Sequence, residues 1–199
     1  MRTLALAPAL LAAGVALAAC TEAPAPDATP TGQATPAPSS TATQSAESVF
    51  TLPADCTGLL PDDRQQAFAA EGILLIGGPG GVHPDYYADP TPEEQAGGIS
   101  CIWGDEADPQ TIVTVSAAPL TASTRGAVVD SLLAQGLNEA QLDDALSYGQ
   151  IGDETSAPAV LNVLRDDSWI SVIPAVGGET RFNLAVELAQ EAAAQVYRP

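Results

Sequence analysis

Residues 99–117 read ISCIWGDEADPQTIVTVSA, and the fold class follows from them. Ile99 to Gly104 is a short apolar run that carries Cys101 and Trp103. Asp105 to Gln110 is polar and contains a proline, and Thr111 to Ala117 is rich in β-branched residues. Two such runs separated by turn residues predict a pair of strands, because branched side chains fit a pleated surface better than a helix.

Upstream, Ile73 to Ile76 predicts another short strand. Before it, TGLLPDDRQQAFAAEG (57–72) predicts a helix over 61–71 with Ala67 and Phe68 inward. Pro61 suits a first helical position, Asp62 and Asp63 favour the positive end of the helix dipole, and Gly72 is a stop. Residues 77–98 hold so many glycines and prolines that an irregular stretch is expected. Downstream, Thr121 or Ser123 caps a helix that runs to Gln135 and ends at Gly136, with Val128, Val129, Leu132 and Leu133 as its apolar stripe. Asn138 to Tyr148 reads as a second short helix. Ala159 to Arg165 and Ser168 to Ala175 read as a hairpin around Asp166-Asp167, and Glu179 to Tyr197 as a final helix whose apolar residues recur at helical spacing. The expected fold is α+β: an antiparallel four- to five-stranded sheet, helices packed on one face, and one disulfide, in a single domain over 48–199.

The first twenty residues are of a different kind: MRTLALAPALLAAGVALAAC. Arg2 precedes an uncharged stretch over 4–19, shorter than the roughly 20 apolar residues that span a bilayer, and this suits a secretory signal. It ends at Leu17-Ala18-Ala19-Cys20, which resembles the lipobox of bacterial lipoproteins. That resemblance implies cleavage after residue 19 and diacylation of the Cys20 sulfur. Cleavage at an Ala-x-Ala site, leaving a free thiol, is the alternative. Two acyl chains hold a protein stably on a membrane, so the expected location is extracytoplasmic, anchored by lipid to the cell membrane. Residues 21–47 contain mostly Pro, Ala, Thr and Ser and no large apolar residue. The expectation is a disordered, extended tether over 20–47, behind a signal peptide over 1–19.

The formal net charge is −19, and removing residues 1–19 leaves five of the six arginines against all 25 acids. Nucleic acid and anionic lipid head groups both demand a basic footprint, so neither is an expected partner. The chain has no lysine, which excludes Schiff-base chemistry, a Walker lysine and a Ser-x-x-Lys acyl-enzyme. GGPGG at 77–81 lacks the Gly-Lys-Ser/Thr ending of a phosphate loop and reads as a turn. With Cys20 assigned to the anchor, Cys56 and Cys101 are expected to pair in an oxidising compartment. Zinc is the alternative, and with His83 as the single histidine it would need a carboxylate ligand as well.

Cys56 leading into Leu59 and Leu60, followed by a distant Cys101-x-Trp103 strand, resembles the small uncharacterised envelope lipoproteins of actinobacteria. The resemblance implies a cell-surface α+β domain and carries over no catalytic residue. The candidate ligand-binding residues are His83, Asp85, Tyr86, Tyr87 and Asp89, which gather aromatics and carboxylates in the long loop; a plain surface loop is the competing reading. Trp103 is expected in the core beside the disulfide. Asp105, Glu106 and Asp108 lack the EF-hand pattern and read as a solvated turn. No catalytic set, metal site or cofactor is expected. The leading expectation is a non-enzymatic envelope lipoprotein that binds a small ligand or an envelope protein. The alternatives are a cell-wall or envelope hydrolase using the His83 loop, and an accessory structural subunit of an envelope complex.

Overall fold

The computed structural model describes residues 48–198. The expected signal over 1–19, and Cys20 with the expected tether over 20–47, lie outside the described residues. The order begins with a short 3-10 turn, Cys56–Gly58, then helix α1 (Asp62–Ala70), strand β1 (Leu74–Gly77), helix α2 (Pro92–Gln95), β2 (Ile99–Asp105) and β3 (Asp108–Pro119). It continues with α3 (Ala122–Ala134), β4 (Asn138–Leu142), β5 (Ala145–Gln150), β6 (Val160–Leu164), β7 (Ser168–Pro174) and α4 (Glu179–Val196).

All seven strands form one antiparallel sheet in the order β1-β2-β3-β7-β6-β5-β4. Strands β1 to β3 are one meander. Helix α3 then carries the chain to the far edge, and β4 to β7 form a second meander that returns to β3. The fold class is α+β with the Cys56–Cys101 disulfide, whose Cα atoms are 5.5 Å apart. The sheet has seven strands, not four or five. The difference comes from 138–148, where the expected helix is instead the β4–β5 hairpin, turning on Asp143 at φ 53. Asp tolerates the left-handed region because its short side chain bonds locally.

Successive side chains of a strand point to opposite faces, and here the two faces differ in chemistry. The first face carries Cys101, Trp103, Val115, Ile170, Val172 and their neighbours, and is the main hydrophobic core. Helix α4 lies directly on it, with Ala185, Leu188, Ala189, Ala192 and Val196 buried at helical spacing. Alanine lets a helix backbone approach a sheet closely. Helix α1 adds Phe68 to the same core, and the disulfide pins the 3-10 turn ahead of α1 to β2. Helix α3 packs on the opposite face, around Leu132, Leu137, Leu164 and Trp169. Helices therefore cover both faces rather than one. Because residues 48–198 bury both cores among themselves, they carry what is needed to fold alone.

Candidate functional site

The second face of the sheet holds a row of polar side chains on directly paired positions: Ser100 opposite Ser116, Ser116 opposite Ser171, Ser171 opposite Asn162, and Asn162 opposite Tyr148. None of the five is more than 3% exposed. Polar groups taken out of water need partners, and these have them. Ser116 Oγ donates to Ser100 Oγ at 2.9 Å, and Ser100 Oγ meets Thr91 Oγ1 at 2.6 Å. Trp169 Nε1 donates to Asn162 Oδ1 at 2.8 Å, and the Tyr148 hydroxyl donates to Glu139 at 2.8 Å.

Above this row is a cleft of about 260 Å³. It exists because α3 makes no close backbone approach to the sheet comparable to that of α4. Helix α3 is fastened at its first turn, where Arg125 donates to the Arg165 carbonyl at 2.6 Å and Leu120 N–H donates to the Asp167 carbonyl at 2.9 Å. Val128, Ser131, Leu132 and Gln135, spaced at 3 and 4 along α3, form the roof. Ser116, Asn162 and Ser171 form the floor, and α2 closes one side. That short helix is set by a capping box: Thr91 Oγ1 accepts from Glu94 N–H, and the Glu94 carboxylate accepts from Thr91 N–H.

Glu93, beside the cap, lines the cleft and is 5% exposed. Burial pushes its carboxyl above the usual range; hydrogen bonding with its own backbone N–H and the Ser171 and Thr91 hydroxyls opposes this, and the Glu94 charge adds to it. The ion pairs among the described residues join Arg64 to Glu187 and Glu191, His83 to Glu106, and Arg165 to Asp144; Glu93 belongs to none of them.

The long loop divides its candidate residues. Asp85, Tyr86 and Tyr87 line a second hollow of about 330 Å³ on the other side of α2. The two rings meet edge to face with centroids 5.6 Å apart. Tyr87 also lines the α3 cleft, and its hydroxyl is 2.8 Å from Thr114 Oγ1. Asp89 lines neither hollow. The His83 ring is exposed, and its Nε2 lies 3.0 Å from Glu106 on the β2–β3 turn. No serine, threonine or cysteine side chain hydrogen-bonds the ring among the described residues. The loop thus brings Asp85, Tyr86 and Tyr87 together and leaves His83 and Asp89 apart from them.

The GGPGG turn is closely packed. A side chain at Gly78 (φ 91) would come within 2.2 Å of the Ser100 carbonyl and 2.9 Å of Cys56 Sγ, so the close approach of the β2 backbone, with the disulfide beside it, requires glycine here. Trp103 is buried beside Cys101, and Trp169, which heads a hairpin strand, is buried too. Asp105 caps its own turn by accepting from Ala107 N–H. Among the described residues no group of three or more His, Cys, Asp or Glu is placed to hold a metal ion, and no helix is long and apolar enough to cross a membrane.

The residues of the cleft were weakly marked in the sequence. Thr91-Pro92-Glu93-Glu94 carries the spacing of a capping box, which locates α2 and accounts for Glu94, whereas the burial of Glu93 depends on tertiary packing. Ser100, Ser116, Asn162 and Ser171 each sit at an alternate position between apolar residues, but strand register alone lines them up. Neither a protein-family model, nor a curated protein, nor a solved structure matches the chain.

Proposed function

We propose that the protein is a cell-envelope lipoprotein, anchored through a diacylated Cys20, that displays on its tether a domain binding a small ligand in the cleft between α3 and the sheet. The anchor is supported by Leu17-Ala18-Ala19-Cys20 after an uncharged apolar run, and the tether by the Pro/Thr/Ala/Ser composition of 21–47. A domain held by a disulfide suits an oxidising compartment. The observation that carries the binding role is the polar row on a buried sheet face opening into a roofed cleft. A few convergent polar groups within mainly apolar walls are the usual form of a small-molecule site.

Two measurements test the two parts. Fractionation of cells expressing Cys20→Ala protein should move it from the membrane to the soluble fraction, and retention in the membrane would overturn the lipid anchor. Thermal unfolding of residues 21–199 against a panel of small metabolites and cell-wall fragments tests the cleft. A ligand at a hundred times its dissociation constant adds about 2.7 kcal/mol, enough to raise the midpoint by several degrees. That rise should vanish in Val128→Phe, which fills the cleft from α3; a rise unaffected by this change would place binding elsewhere.

A further inference from the structure

We propose that the cleft selects small organic cations: an ammonium group pairs with Glu93 and the Ser171 hydroxyl, and an apolar body lies against Val128, Leu132 and Trp169. This inference rests on the cleft being a ligand site and adds the class of ligand.

The argument begins with charge. A carboxyl buried to this degree is costly to ionise without a cation beside it. The chain has no lysine, so a side-chain cation can come only from an arginine or the single histidine. Among the described residues no arginine or histidine lines the cleft, Arg181 and Arg198 included; Arg64, Arg165 and His83 lie against other carboxylates, and Arg125 donates to backbone carbonyls. Glu93 and the Tyr87 phenol are the only titratable groups that line the cleft; α3, β3, β6 and β7 contribute uncharged side chains. Glu94, on the same turn, brings a second negative charge close. A cationic ligand would supply the missing countercharge in a low-dielectric site, where charge-assisted hydrogen bonds are strong. The domain's large net negative charge would also raise the local concentration of cations around it.

Size and polarity narrow the ligand further. An apolar cavity of about 150 Å³ holds one benzene, so a cleft of about 260 Å³ takes a molecule of roughly ten heavy atoms. The aliphatic and indole side chains favour a hydrocarbon body, and the carboxyl with its neighbouring hydroxyl favours a primary or secondary ammonium that can donate hydrogen bonds. This describes an arylalkyl or alkyl amine.

The test compares 2-phenylethylammonium with 2-phenylethanol, which has nearly the same shape and no charge. The protein is the oxidised chain 21–199, and the readout is the Trp169 indole N–H resonance followed during titration. The ammonium should bind at least about tenfold more tightly than the alcohol. Glu93→Gln should abolish that preference, and Ser171→Ala, which keeps the carboxyl, should retain most of it. Equal binding of the two probes, or a preference that survives Glu93→Gln, would overturn the cation proposal while leaving a neutral-ligand cleft standing. If neither probe moves the resonance at millimolar concentration, the cation proposal falls, and the cleft as a ligand site is decided by the wider panel. Should Glu93→Gln fail to fold, Val128→Phe serves instead: undiminished ammonium binding in that variant would also overturn the proposal.

Discussion

Replacing both cysteines, as Cys56→Ala/Cys101→Ala, releases the turn ahead of α1 from β2. The bond spans 45 positions, and closing a loop of that length removes about 13 cal/mol/K from the unfolded chain, or about 4 kcal/mol at 25 °C. For a domain of this size each kcal/mol moves the midpoint by about 2–4 °C, so the expected loss is about 8–16 °C. Lost sulfur packing adds to it, since both cysteines are fully buried in the main core. Paired thermal melts of parent and variant, monitored by far-UV circular dichroism, give the shift, and urea titrations should show a steeper slope with denaturant, because the freed unfolded chain exposes more surface. A loss under about 3 °C would refute loop closure as the main contribution of this bond. Burial adds a kinetic expectation. Dithiothreitol should reduce the native bond only as fast as the domain opens, so rapid reduction of folded protein would show that the turn at Cys56 opens without global unfolding.

Glu93 titrates from a value raised by burial above its ordinary 4.5. The folded state therefore binds this proton more tightly than the unfolded state, and stability rises as pH falls from the folded-state value towards about 4.5. The midpoint of Glu93→Gln relative to the parent should thus be highest at neutral pH and decline on acidification across that window; a constant difference would contradict the assignment. Tyr197, whose hydroxyl bonds Asp167 and Ser168, is pushed up to about 12 by burial first and the Asp167 contact second. Its contribution is fully present below about 10 and is lost as pH rises towards about 12, so spectrophotometric titration should show a late phenolate component that Tyr197→Phe removes. Asn162→Ala leaves the buried Trp169 indole N–H without its acceptor and should cost about 1–3 kcal/mol by urea unfolding. A cost near zero would mean that water replaces the amide.

Where local punctuation is strong, sequence and structure agree closely. Pro61, the following acids and Gly72 bracket α1, and Thr121 caps α3 through a box with Thr124. Asp166-Asp167 turns the β6–β7 hairpin, and Cys56 and Cys101 pair. Asn138 to Tyr148 went the other way because Leu, Ala, Gln and Glu are good helix formers, and tertiary pairing with β6 outweighed that weak local preference. The same Asp-Asp signal that marks the second hairpin stands at Asp143-Asp144 and marks this one too. Helix α2 hid among glycines and prolines because it is only four residues long. The cleft was largely illegible. Its floor is assembled by register between strands far apart in sequence, and an apolar count along each strand sees Ser100 or Ser171 only as an interruption. The aromatic loop was legible as a cluster, and its division between Tyr86–Tyr87 and His83 was not.

The β3–β7 seam has a consequence for how the chain finds its structure. Within each meander the strands pair with sequence neighbours, so those contacts are local. Strands β3 and β7 instead join positions roughly 50 to 60 residues apart, and this is the one strand pairing that unites the two halves of the sheet. Searching for non-local partners is slow because loop-closure entropy is lost before the contacts form. Docking of the halves should therefore limit the folding rate, and until it occurs the two seam strands present unpaired edges to other chains. As the chain is synthesised the C-terminal meander and α4 emerge last, which makes the interval between the appearance of β3 and the arrival of β7 the period of greatest aggregation risk. Pulsed hydrogen exchange during refolding should show β4–β5 amides protected before those of the seam.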